Sequence, residues 1–285
     1  MLRLDRLSLN VLLLLSVSGV VGLLQLPQRD KSLPTFAELF LGEPRVAHAA
    51  VEGDLARENW IGRLPTVEDL AFRELREVRA LGQPFDDAWI ASLENLEVVV
   101  LLDLSETRVT DEGLLHLSKT RQLRHLKLSE TVIGDAGLAA LQDLSSLEIL
   151  QLQRTHVSSA GLSHLRSLPQ LRQLDLSYTP TTDEGLLQLA TLPAIEELDL
   201  TGTAVSDAGL EALKNSTSLV QLALSETDIT DAGLEYLGRL TDLEWLDITS
   251  THITPAGVRK LRKLLPLTCI FQDADPDVPS LPEEA

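Results

Sequence analysis

Cysteine is nearly missing from this chain: Cys269 stands alone among 285 residues. A single thiol excludes an intramolecular disulfide and any cysteine-based metal cluster, and it leaves the redox compartment unread. Aromatics are also scarce, with five Phe, three Trp and two Tyr. The apolar core must therefore be built from Leu, Val, Ile and Ala, which suits thin repeated layers better than one thick globular centre. Basic residues fall short as well: 24 Lys and Arg face 43 Asp and Glu, a formal charge of −19. Binding a phosphate backbone needs a basic stripe that releases counterions, so this balance argues against nucleic acid and favours a neutral or basic partner. No glycine-rich phosphate loop, nucleophile elbow or zinc-ligand spacing occurs. His156 and His252 fall in copies of the repeat about 19 Å apart at the spacing of β-strands, too far to chelate together. No cofactor, no metal and no enzymatic activity are expected.

One uncharged run is long. From Leu7 to Gln28 there is no charge, and the run centres on Val11, Leu12, Leu13, Leu14 and Leu15. Its 22 residues, at about 1.5 Å each in a helix, match the apolar thickness of a bilayer, although Asn10, Ser16, Ser18 and Gln25 make it a mediocre span. A retained anchor, a cleaved signal segment and a buried helix are the three readings. Cleavage wants small residues directly after the apolar region, where Leu23-Leu24-Gln25-Leu26 stands; Ala47-His48-Ala49 lies too far along. Arg3 and Arg6 are balanced by Arg29 and Lys31, so flanking charge sets no orientation. With the N-terminus taken as facing inward, the rest of the chain lies outside the cytoplasm, anchored or secreted. Residues 29–60 read as a linker, in which Phe36, Leu39, Phe40 and Leu41 suit an interfacial turn or a short helix.

Self-similarity carries the rest. A 24-residue period starts at Val99, Leu123, Leu147, Leu171, Ile195, Leu219 and Leu243 without an insertion. The common pattern is Leu-x-x-Leu-x-Leu-x-x-Thr-x-Val/Ile-Ser/Thr-Asp-x-Gly-Leu-x-x-Leu-x-x-Leu-x-x. Positions 4 and 6 alternate with outward residues, which is strand periodicity. Leu138, Leu141 and Leu144 recur every third residue and line one face of a helix. Ser or Thr at position 12 reads as the N-cap, with Asp or Glu in the first turn favoured by the helix dipole. Thr254-Pro255 fixes that assignment, since proline suits the first helical position. Gly at position 15 is expected to let neighbouring coils approach closely. One strand and one helix per unit cannot bury their own apolar faces, so the units must stack into a solenoid.

This pattern resembles the leucine-rich repeat, in its ribonuclease-inhibitor-like and cysteine-containing subtypes. The resemblance implies an α/β solenoid, a right-handed superhelix with a parallel sheet on its concave face and helices on its convex face. Those subtypes carry Asn or Cys at position 9, where this chain has Thr107, Thr131, Thr155, Thr179, Thr203, Thr227 and Thr251. The expectation is either a threonine ladder replacing the asparagine ladder or a residue that simply suits extended backbone. Residues 61–98 form an N-terminal cap with a degenerate repeat from Leu75, 99–266 hold seven repeats, 267–272 a closing strand, and 273–285 an acidic tail expected to be disordered. Cys269 is expected in the core. The resemblance implies a protein-binding scaffold. Two alternatives come with it: a substrate receptor of a ubiquitin ligase, which Leu64-Pro65 and Leu70 faintly resemble in an F-box opening, and an accessory binding domain of a hydrolase system.

Positions 3, 5 and 8 should face the binding side. On that frame Asp175, Asp199 and Glu197 form a group of carboxylates, read as solvated surface charges or as a subsite for a basic partner. Arg154 and Tyr178 share position 8 in adjacent repeats, and Trp245 is expected to be exposed. Arg and the large aromatics dominate protein interfaces. The candidate partner-binding residues are thus Arg154, Asp175, Tyr178, Glu197, Asp199 and Trp245. In the fourth repeat Thr181 replaces the apolar position 11, either as a bent binding loop or as drift.

Overall fold

The structure, a computed structural model, describes residues 77–93 and 96–273. The chain divides into two units, Met1–Leu33 and Pro34–Ala285, and every described residue belongs to the second. The Leu7 to Gln28 segment, the linker, residues 61–76 of the N-terminal cap and the acidic tail beyond 273 lie outside the described residues. Among the described residues no helix is long and apolar enough to cross a membrane.

Nine strands of three residues form one parallel sheet in chain order: β1 Glu77–Arg79, β2 Leu101–Asp103, β3 His125–Lys127, β4 Ile149–Gln151, β5 Gln173–Asp175, β6 Glu197–Asp199, β7 Gln221–Ala223, β8 Trp245–Asp247 and β9 Cys269–Phe271. Every strand pairs with the next at a shift of 24 residues, as in Leu174 opposite Leu198. The exact period is what makes this possible, because a one-residue slip would turn the inward leucines outward. Leu102, Leu126, Leu150, Leu174, Leu198, Leu222 and Leu246 at position 4 are all fully buried.

The other side of each coil carries α1 Asp87–Ser92, α2 Asp111–Leu114, α3 Asp135–Ala140, α4 Asp183–Leu189, α5 Asp207–Leu213, α6 Leu234–Leu237 and α7 Pro255–Leu264. Several coils use 3₁₀ turns instead of, or beside, an α-helix, the longest being Gly161–Ser167. The spacing of three that predicted helices is the 3₁₀ period itself, in which residues i and i+3 eclipse. Leu162, Leu165 and Leu168 then face the core in a single row, and all are buried.

The N-caps fall at position 12, where the side chains of Thr110, Ser206, Thr230 and Thr254 accept helix N–H bonds. The aspartate that follows does more than favour the dipole. Its carboxylate reaches the next coil and accepts both the N–H and the hydroxyl of the residue at position 12 there. Asp183 takes Ser206 N at 2.7 Å and Ser206 Oγ at 2.7 Å, and Asp87, Asp135, Asp207 and Asp231 repeat the pattern. Gly at position 15 is the seat for that carboxylate. A Cβ on Gly209 would collide with Asp183 Oδ1, and one on Gly257 with Asp231 Oδ1.

The threonines at position 9 form no ladder between coils. Each buried hydroxyl turns back on its own coil and donates to the carbonyl of position 6, as Thr203 Oγ1 does to Leu200 O at 2.6 Å. The same bond recurs from Thr107 to Thr251. It closes the turn that leaves the strand. In the fourth repeat Thr181 is fully buried in the apolar slot, with its hydroxyl paired to Thr179 Oγ1 at 2.9 Å. The slot is filled by a partnered polar side chain, and no bent loop projects there.

Cys269 is exposed, against expectation. It opposes Trp245 at position 3 of the last strand, on the sheet face turned away from the helices. Residue type suggested burial, but register at the sheet's end decides.

Candidate functional site

Strand positions 3 and 5 point away from the helices, and position 8 follows at the turn. In the seven repeats most position-5 side chains are buried; only Lys127 and Asp247 are partly exposed. Asp175 is 1% exposed and Asp199 3%, which corrects the reading of both as surface carboxylates. Each bends back on its own turn: Asp175 Oδ1 accepts Ser177 N at 2.9 Å and Ser177 Oγ at 2.6 Å, and Asp199 Oδ1 accepts Thr201 N at 2.8 Å. Asp103 and Asp247 make the same bond to Ser105 N and Thr249 N. An aspartate that satisfies the backbone two residues on is an Asx turn, and its in-register neighbours close its flanks. For Asp175 these neighbours are Gln151 and Asp199.

Two buried carboxylates on adjacent strands cannot both ionise freely. Burial pushes Asp175 up, against the pull of its Ser177 hydrogen bonds. Burial and the adjacent Asp175 charge push Asp199 up to about 7, with the Thr201 bonds opposing. Glu197, half-buried at position 3, is also raised by burial, and its Oε2 is buried without a hydrogen-bond partner. The expected group of Asp175, Glu197 and Asp199 is therefore assembled, but as a largely protected cluster. Among the described residues no group of three or more His, Cys, Asp and Glu side chains is placed to hold a metal ion.

Trp245 is 8% exposed, which corrects its expected exposure. It packs on Ala223 and stands 5.1 Å, ring to ring, from Phe271 of the closing strand. A neighbour two elements away in sequence covers it, and a frame of one coil at a time does not reveal that contact.

Position 8 is where side chains reach solvent. Glu106, Glu130, Arg154, Tyr178, Glu226 and Ser250 all hold φ between 54° and 58°, and Gly82 and Gly202 occupy the same place. The cause is the inter-coil ladder: each of these N–H groups from Glu106 to Glu226 donates to the position-7 carbonyl of the next coil, as Tyr178 N does to Thr201 O at 2.7 Å. Continuing that bond while the chain turns requires left-handed backbone, which costs an L residue about 1–2 kcal/mol. The side chains then lie along the ridge. Arg154 sits 4.7 Å over the Tyr178 ring and 3.9 Å from Glu130 Oε1. Tyr178 extends over Gly202, where a Cβ would meet its ring at 2.5 Å, and its hydroxyl donates to Glu226 Oε2 at 3.2 Å, two coils away. Arg154 and Tyr178 are thus brought together and held in the open. Sequence reasoning paired those two but missed Gly202 and Glu226. A glycine at position 8 directly after an aromatic at position 8 was the available signal.

A chain of parallel strands and short helices coiled at a fixed period, with an open sheet face, defines a solenoid-type α/β repeat protein. Residues 121–141, 192–214 and 215–238 match the leucine-rich repeat family. Internalin C2 from Listeria monocytogenes shares the fold, with a TM-score of 0.58 and 23% identity over 69% of this chain and 80% of that one. The chain folds as a leucine-rich-repeat solenoid. No functionally curated protein matches it significantly.

Proposed function

We propose that this chain is a non-enzymatic protein-binding scaffold that takes a neutral or basic polypeptide along the exposed ridge at position 8 and the half-buried position-3 residues beside it. The observation that carries the reading is the ordered run Glu130, Arg154, Tyr178 and Glu226. A tyrosine already fixed between a guanidinium and a carboxylate loses little freedom on binding and offers both an apolar face and a hydroxyl. Asp175 and Asp199 lie behind it and hold their own turns, and half-buried Glu197 stands beside them. Trp245 contributes by shaping the surface around Phe271. Anchoring through Leu7 to Gln28, or export, would place this ridge outside the cytoplasm.

Selection of a displayed random-peptide library on the immobilised chain tests the proposal. Enriched peptides should carry Lys or Arg, and should lose most of their affinity for Tyr178→Ala and Arg154→Ala while the melting temperature stays unchanged. Peptides that bind both variants as well as the parent would move the site to another surface.

A further inference from the structure

The last coil differs from all the others on its helical side. At positions 17, 18, 20 and 21 no earlier repeat has more than one Lys or Arg, whereas the last has Arg259, Lys260, Arg262 and Lys263. All four are exposed on α7, around a shallow depression that Ala256 also lines. Lys260, Arg262 and Lys263 form no ion pair among the described residues, although the protein carries a net charge of −19. Beside them Leu264 is 43% exposed and Leu267, in the turn after the helix, is 92% exposed. The helix meanwhile buries Val258 and Leu261, so its inner face is fully used by the core.

The helix dipole accounts for cations in the last turn. It does not account for cations through two turns, nor for a leucine held almost wholly in water at the end of a solenoid, where a polar cap is the rule. We infer that the outer face of α7, with Leu264 and the turn at Leu267, docks on an anionic lipid bilayer. Cations ringing a protruding leucine match an interface in which phosphate headgroups lie above the first methylenes. An acidic polypeptide would satisfy the cations but would leave Leu267 unexplained. The strongly acidic remainder of the protein is repelled by such a surface, so contact occurs through this end alone and weakens steeply with salt.

The test must not be confounded by the uncharged run near the N-terminus. Among the described residues every buried core side chain lies between Ala80 and Leu265, and residues 34–285 form a unit of their own, so a chain trimmed of residues 1–33 keeps the described solenoid. A cooperative melt confirms that it folds. Co-sedimentation with vesicles of phosphatidylcholine and phosphatidylglycerol, at low and high salt, should show binding that pure phosphatidylcholine lacks. Each cation near an anionic surface contributes about fivefold, so Lys260→Ser with Lys263→Ser should weaken binding about 30-fold. Leu267→Ser should weaken it about tenfold at unchanged charge. Absence of binding to the anionic vesicles overturns the inference, as does full binding by the double variant. Binding that is insensitive to Leu267→Ser and displaced by poly-glutamate would reassign the face to an acidic polypeptide.

Discussion

Gly185 and Gly209 stand third in two seven-residue helices, α4 and α5, one coil apart, yet their replacement by alanine should have opposite consequences. In the middle of a helix Gly→Ala ordinarily stabilises by about 1 kcal/mol. At Gly185 the preceding coil has Ser159 at position 13, and an added Cβ would stand 3.0 Å from its Oγ and 2.9 Å from Leu162 Cδ1. Ser159 Oγ is itself held by Thr182 N and Thr182 Oγ1, but it is neutral and is met at 3.0 Å, where a shift of a few tenths of an ångström suffices, so mild crowding offsets the gain. At Gly209 the preceding coil has Asp183, whose Oδ1 the new Cβ would strike. That carboxylate is pinned by two bonds from Ser206. Hydrogen bonds to a charged group are worth about 1.5–3 kcal/mol each, and displacing the carboxylate strains or breaks both. Gly185→Ala should thus lie within about 1 kcal/mol of the parent, while Gly209→Ala should lose about 2–4 kcal/mol. Urea unfolding followed by circular dichroism measures both. Asp183→Ala already forfeits the Ser206 bonds, so in that background Gly209→Ala should cost at least about 1.5 kcal/mol less than it does alone. Equal losses at the two glycines, or strict additivity in the cycle, would refute the claim that position 15 is glycine for the sake of the neighbouring aspartate.

The raised carboxyls make stability depend on pH in an uncommon direction. Asp199 is pushed to about 7 in the folded chain, above the ordinary carboxylate range, so between those values the folded state holds more protons than the unfolded one and stability falls as pH rises. The stabilisation is complete below the unfolded pKa and is lost as pH passes about 7, with an upper bound of about 4 kcal/mol; Asp199→Asn should flatten that slope in melting curves from pH 4 to 8, and an unchanged slope would place the proton elsewhere. Among the position-9 threonines, Thr203→Val removes one hydroxyl bond while Thr203 N still serves Leu200 O at 3.2 Å, a cost of about 1 kcal/mol. Thr179→Val should cost about 1 kcal/mol more, because it also strands the buried Thr181 hydroxyl; equal losses in denaturant titration would contradict this.

The period carried most of the fold. Because 24 residues separate every pair of partners, the strand register, the inward leucines and the helix starts could all be read one coil at a time, and Thr254-Pro255 marked the cap unaided. What stayed hidden were relations between coils. Asp at position 13 and Gly at position 15 each had an adequate explanation within one coil, namely the dipole and close packing. Their real dependence runs from Asp183 in one coil to Ser206 and Gly209 in the next. The candidate site failed in the same way. Asp175, Asp199 and Trp245 do occupy the positions that face away from the helices, but alternation gives direction and not burial. Their cover comes from Gln151, Ser177 and Phe271, whose contributions depend on side-chain length and on neighbouring strands. Tyr178 and Arg154 were legible because position 8 lies beyond the strand, where the adjacent coils leave the side chains open to solvent.

The difference between positions 5 and 8 constrains where recognition can evolve on this scaffold. At position 5 the aspartates of four coils are committed to their own turns through Ser105, Ser177, Thr201 and Thr249. Changing one to suit a partner would leave a buried backbone N–H without its acceptor. At position 8 the backbone bond is made by the N–H alone, so the side chain is free to vary, and Glu, Arg, Tyr, Gly and Ser all occur there. Glycine would relieve the left-handed backbone at every one of these turns, yet only Gly82 and Gly202 take that option among the described coils. Gly202 is the coil over which Tyr178 must lie flat to reach Glu226. Retaining bulky side chains against a backbone preference of about 1–2 kcal/mol each is difficult to explain by folding. It is the expected result if the ridge is the part of the molecule that another protein touches.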